Sequence, residues 1–115
     1  MASKIVYKFT IPETLRGNHG VASIKMRELT SREEIDASRV GGLDFTRAQF
    51  EATKRSICML DSRPVSIAGD EIDRFWEDAG PRLRALLISA FNRLHSVTQE
   101  ESKDFFASQE VETSG

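Results

Sequence analysis

Pro81-Arg-Leu-Arg-Ala-Leu-Leu-Ile-Ser-Ala-Phe-Asn-Arg-Leu-His95, then Ser96-Val97, then Thr98-Gln-Glu-Glu-Ser-Lys-Asp-Phe-Phe-Ala-Ser108 run on without a gap. Leu83, Leu86, Leu87, Ala90, Phe91 and Leu94 recur at three- and four-residue intervals, the spacing of one helix face. Ile88 widens that stripe, which predicts burial on more than one side. Arg82, Arg84, Ser89 and Arg93 fall mostly off it. Pro81 suits the first helical turn, where its missing N–H costs nothing. Thr98 and Glu101 form a capping box, in which each side chain satisfies the other residue's backbone N–H. The stretch therefore predicts two helices, Pro81 to His95 and Thr98 to about Ser108. In the second, Phe105 and Phe106 are the only large apolar side chains. Adjacent helical residues point about 100° apart, so one short helix has difficulty burying both rings. Either one packs inside while the other is partly exposed, or the pair anchors a partner or a neighbouring subunit.

Upstream, Gly80-Pro81 breaks a preceding helix that starts near Gly69-Asp70. Its Ile72, Phe75, Trp76 and Ala79 form a narrow apolar face. At the N-terminus, Lys4-Ile-Val-Tyr-Lys-Phe-Thr-Ile11 alternates and is rich in β-branched residues, the mark of a strand. Ile5, Tyr7, Phe9 and Ile11 share one side of it, and Val6, Lys8 and Thr10 the other. Pro12 ends the strand, and Arg16-Gly-Asn-His-Gly20 is a turn cluster. Val21 to Leu29 reads as a second strand, which completes an antiparallel hairpin. Such a hairpin is marginal alone and needs helices or another chain against it.

Between these parts, Thr30 with Glu33, or Ser31 with Glu34, opens a helix that reaches Val40 and stops at Gly41-Gly42. Asp44 or Thr46 caps the next helix, Arg47 to Ile57. Ile57 to Ile67 either forms a second small hairpin around Ser62-Arg63-Pro64, or its first four residues finish the helix. The expected fold class is α+β: an N-terminal β-hairpin with a mainly α-helical C-terminal part of four to five helices. Residues 1–108 are expected to form a single domain and 109–115 a flexible polar tail. No internal repeat or linker is visible.

The chain has 115 residues, 39% hydrophobic and 30% charged, the composition of an ordinary soluble globular protein. A net charge of −2, with basic residues scattered among acids, argues against a primary nucleic-acid role. No apolar run approaches the ~20 residues that span a bilayer, so no membrane association is expected. No hydrophobic segment of signal-peptide length follows Met1-Ala-Ser-Lys4, which predicts no secretory signal. One cysteine cannot make an internal disulfide, which is consistent with a reducing cytoplasm.

The chemistry-bearing residues favour structural roles. His95 ends its helix, where an imidazolium would complement the dipole, and His19 sits in a distant loop. Cys58 lies between Ile57 and Met59, the setting of a buried, inert thiol rather than a nucleophile. Glu33-Glu34, Asp70-Glu71 with Asp73, and Glu100-Glu101 each stand at a predicted helix start, where acids complement the dipole. No phosphate loop, dinucleotide fingerprint or nucleophile elbow is present. The expectation is a non-enzymatic protein with no cofactor and no metal.

Arg82 to Ser96, followed by Thr98-Gln-Glu-Glu and Phe105-Phe-Ala-Ser108, resembles the C-terminal helices of tail assembly chaperones of long-tailed, siphovirus-like bacteriophages. Lys54-Arg-Ser-Ile-Cys-Met-Leu-Asp-Ser-Arg-Pro-Val-Ser66 is similar to that family's mid-chain element, in which an apolar run leads into an Asp-Gly-Lys-Pro-Val-like turn. Ser62 stands where a glycine would suit a positive-φ turn. The resemblance covers Lys54 to Ser108, and the remainder only in layout. It implies a protein that binds the tape-measure protein and keeps it soluble while the tail tube forms. It further implies action in the host cytoplasm, absence from the mature virion, and a longer frameshifted form as companion, with tail tube protein and homo-oligomers as further partners. The family has no catalytic residues to carry over. Leu87, Phe91, Leu94, Phe105 and Phe106 are the expected partner-binding residues, shared with the core in unspecified proportion. Two other readings compete. One is a structural tail or head–tail completion protein that forms rings through its hairpin. The other is a small regulatory module such as an antitoxin, against which the lack of a basic face argues.

Overall fold

The computed structural model describes residues 5–111. Lys4 of the expected first strand and 112–115 of the expected tail lie outside the described residues. The fold is α+β, with four strands and five α-helices among the described residues: β1 (Val6–Thr10), β2 (Ser23–Arg27), α1 (Ser31–Gly41), α2 (Phe45–Ser56), β3 (Ile57–Leu60), β4 (Arg63–Pro64), α3 (Glu71–Asp78), α4 (Pro81–Leu94) and α5 (Gln99–Ala107). A single 3-10 turn, Glu13–Leu15, follows Pro12.

The two expected hairpins join into one antiparallel sheet of order β1-β2-β3-β4. Alternation in β2 turns Ile24 and Met26 inward, and both are fully buried. Pairing of Phe9 with Ile24 and Tyr7 with Met26 puts the β1 aromatics on the same side. β3 departs from simple alternation. The β2–β3 register shifts between Lys25 and Met26, so that Met26 pairs with Ile57 and Lys25 with Met59. This bulge leaves Cys58 unpaired and turns both Ile57 and Leu60 into the core.

The α2–β3 boundary has no loop. Asp44, not Thr46, caps α2 by accepting from the Arg47 N–H at 3.1 Å, and the helix starts two residues before the expected Arg47. It ends at Ser56, whose buried hydroxyl donates to the Arg27 carbonyl of β2. Of the two readings of Ile57–Leu60, the strand is the one observed. Its return partner is only Arg63–Pro64, short of the expected Val65–Ile67, although the Val65 N–H still donates to the Cys58 carbonyl at 3.0 Å. The positive φ of that turn, 54°, falls on Asp61 rather than Ser62. Aspartate tolerates this conformation better than most residues. Its Oδ1 also accepts from the Ala22 and Ser23 N–H groups at 2.9 and 3.0 Å, which pulls its carboxyl below the usual range.

α3 and α4 cover one face of the sheet. Ile72, Phe75, Trp76 and Ala79 are all buried, as the face of α3 predicts, and meet Ile24, Met26, Ile57, Leu60, Leu83 and Leu87. Arg84 ties the two helices together, since its Nε–H donates to the Trp76 carbonyl at 3.0 Å while its guanidinium lies 5.9 Å from the indole centroid. Lys54 bridges α2 to α3 by pairing with Glu51 and, at 2.9 Å, with Asp73. α1 packs on α2 around buried Ala37 and Gly41. Thr30 and Glu33 supply its capping box, the first of the two expected pairs. Glu33 also takes a two-pronged bond from Arg27 at 2.6 and 2.7 Å. The Arg27 bond is the main cause that holds the Glu33 carboxyl down to about 2.

Candidate functional site

The stripe on α4 is shared between core and surface. Leu83 and Leu87 are buried, Ala90, Phe91 and Leu94 are half-buried against the core, and Leu86 is exposed. The exposed margin faces β1, and a groove runs between them as two adjoining cavities of about 300 and 430 Å³. Leu86, Leu87 and Ile24 line the first, and Ile5, Tyr7, Leu94 and Val97 line the second. Phe9, Ala90 and Arg93 border both. Arg93 takes part in no ion pair among the described residues.

β1 is an edge strand. Only Phe9 and the following Ile11 reach the core, while Ile5 and Tyr7, expected on the same face, stay exposed. The helical layer does not extend over this end of the sheet. The groove is therefore floored by apolar side chains and walled by an uncovered strand.

His95 closes the groove at its far end. Its Nδ1–H donates to the Phe91 carbonyl at 2.8 Å, and its Nε2 accepts the Leu29 N–H at 2.9 Å. The ring thus bonds two backbone segments at once, one through each nitrogen. Its role is structural, joining the end of α4 to the start of α1. The Phe91 and His95 rings lie 4.0 Å apart.

α5 leaves the core beyond this anchor. Thr98 and Glu101 form the expected capping box, with bonds of 2.9 and 3.0 Å. α5 has no buried residue. Phe105 is 70% and Phe106 65% exposed. The expectation that one ring packs inside is not met, and the two pack edge-to-face on each other at 5.3 Å. Of the five expected binding residues, Phe105 and Phe106 are freely presented, Phe91 and Leu94 partly, and Leu87 belongs to the core.

A further apolar surface was not anticipated. Leu43 and Phe45, at the turn between α1 and α2, are almost wholly exposed. They flank the Asp44 cap. A leucine before an N-cap often packs back onto the fourth helical residue, here Ala48, but the bare Leu43 does not. Two bulky residues around Asp44, straight after Gly41-Gly42, were the available signal.

The other chemistry-bearing residues have structural partners. His19 Nδ1 accepts the Val21 N–H at 2.9 Å, and its ring stacks edge-on against Phe75 at 5.0 Å. Cys58 is half-buried rather than buried, because the bulge turns it away from the core, and its thiol donates to the Lys25 carbonyl at 3.4 Å. Asp70 pairs with Arg74, Glu71 with Arg63 and Asp73 with Lys54. No helix of the described residues is long and apolar enough to cross a membrane. No family model, curated protein or solved structure matches this chain.

Proposed function

We propose that this protein is a tail assembly chaperone of a long-tailed bacteriophage, binding the tape-measure protein and keeping it soluble until the tail tube encloses it. The observation that supports this reading is the aromatic pair Phe105–Phe106, exposed on a capped helix with no buried residue. A long helical client presents apolar stripes before it is enclosed, and such stripes aggregate. Exposed rings on a short arm can cover a stripe reversibly, and weak contacts repeated along a long chain coat it without preventing release. On this reading the protein acts by binding, in the host cytoplasm, and leaves before the virion is complete. Coexpression with the tape-measure protein tests it. A gain in client solubility with co-purification is expected, and its loss in F105A/F106A. No gain from a folded chain, with or without a longer frameshifted form, sinks the proposal.

One observation favours a second reading, a structural ring component of the tail or head–tail joint. The open β1 edge exposes Ile5, Val6 and Tyr7, the kind of strand that pairs with another chain. Stable stoichiometric rings and presence in purified virions would put this reading first.

A further inference from the structure

We propose that α5 of one copy docks in the β1–α4 groove of a second copy, and the reverse, to give a reversible two-fold dimer. The argument uses the isolated chain and does not depend on the client.

The donor and the receptor are both present in one chain, and the chain cannot join them itself. The link from α4 to α5 is held at nearly every residue. His95 bonds Phe91 and Leu29, the Ser96 N–H donates to the Arg93 carbonyl at 3.2 Å, and Thr98 is locked in its capping box. Only Val97 is without such a bond among the described residues. These bonds leave the first turn of α5, Thr98 and Glu101, at the rim of the second cavity and its aromatic end off the core, and a fold-back of the rings onto their own groove would break them. A second copy supplies the same groove without that loss.

Charge fits the same pairing. α5 carries Glu100, Glu101 and Asp104 against Lys103 alone. Arg93 is the only charged side chain lining the first cavity, and it also borders the second. The second cavity is also lined by Glu28 and Glu101, so the match is at the first cavity, where an acidic arm bearing an aromatic knob meets an apolar lining with one uncommitted cation.

The size fits a weak assembly. Two largely exposed phenylalanines offer roughly 300 Å² per arm. Counting the matching groove walls and the reciprocal arm, burial approaches ~1,200 Å², the lower bound of specific interfaces. Two-fold exchange also closes the assembly, leaving no arm free to propagate a filament.

Sedimentation velocity of the chain alone tests the proposal, run up to on the order of 100 μM because interfaces at the lower size bound are commonly weak. A concentration-dependent monomer–dimer equilibrium is expected. F105A/F106A and R93E should each sediment as monomers while keeping the wild-type unfolding midpoint. Mixing differently tagged copies carrying Leu86→Cys and Ser102→Cys, both in a Cys58→Ser background, should give a disulfide between unlike tags. A wild-type chain that stays monomeric overturns the proposal. So does a dimer that survives F105A/F106A, and one lost instead in Leu43→Ser/Phe45→Ser moves the contact to the α1–α2 turn. These outcomes are independent of client solubility, so failure of one proposal is not failure of the other.

Discussion

A methyl group on residue 41 would lie 2.4 Å from the Ala48 Cβ and 2.5 Å from its Cα. Gly41 lets α1 and α2 touch, whereas Gly42 serves the helix end through its positive φ of 60°. Gly41→Ala is therefore expected to cost about 1–3 kcal/mol by overpacking, as a lower denaturant midpoint. The pair was readable as a helix stop; which glycine makes the contact depended on a neighbour seven residues away. At His95, replacement by alanine leaves the Leu29 N–H without its acceptor. A loss of about 1–3 kcal/mol is expected, with earlier amide exchange at Leu29 as the specific sign. Glu33 sets an acid limit. Its carboxyl, held at about 2 mainly by the Arg27 bond, titrates near 4.5 when unfolded. A depressed folded value stabilises fully above the unfolded one, and that share is lost as pH falls from about 4.5 towards 2. Unfolding midpoints measured over that window should fall more steeply for wild type than for Glu33→Gln; parallel curves would refute the role.

Among the elements, α4 and α5 have the same helical signal and different fates. Leu87 is 3% exposed, and Leu87→Ala should cost about 2–4 kcal/mol. Phe105→Ala should stay within about 0.5 kcal/mol of wild type, because the ring touches little beyond Phe106. α5 is a nine-residue helix, below the ~12–15 residues at which isolated helices become stable in water. Its caps therefore matter more than those of the packed helices. Thr98→Ala removes one cap, costs about 1 kcal/mol of local helix stability, and should lower helical circular dichroism while leaving the global midpoint in place. The capping boxes of α1 and α5 were legible because they join residues three apart. The β3 bulge was not: alternation predicts Ile57 and Met59 on one face, and pairing with β2 puts Ile57 and Leu60 inside instead.

The whole molecule is elongated, 65 × 30 × 28 Å, with a radius of gyration of 17.1 Å. A compact chain of this length would have about 13 Å. The excess is consistent with an α5 that stands off the core. Truncation after Val97 should reduce the radius of gyration seen by small-angle scattering at low concentration and leave the unfolding midpoint unchanged. A lowered midpoint would mean that α5 belongs to the core.

By itself the sequence determined the α+β class, the Thr98–Glu101 capping box and the inner face of α3, and it narrowed the caps of α1 and α2 to two candidates each. Each of these is set by side chains within a few positions of one another, through hydrogen bonds to nearby backbone or through helical and strand periodicity. Tertiary structure decided that two hairpins form one sheet, that the stripe of α4 is half core and half groove, that His95 clamps the end of α4 to Leu29, and that Phe105, Phe106, Leu43 and Phe45 face outward. Those outcomes depend on which surfaces remain after distant elements have packed. A hydrophobic residue looks the same in sequence whether or not a neighbour arrives to cover it.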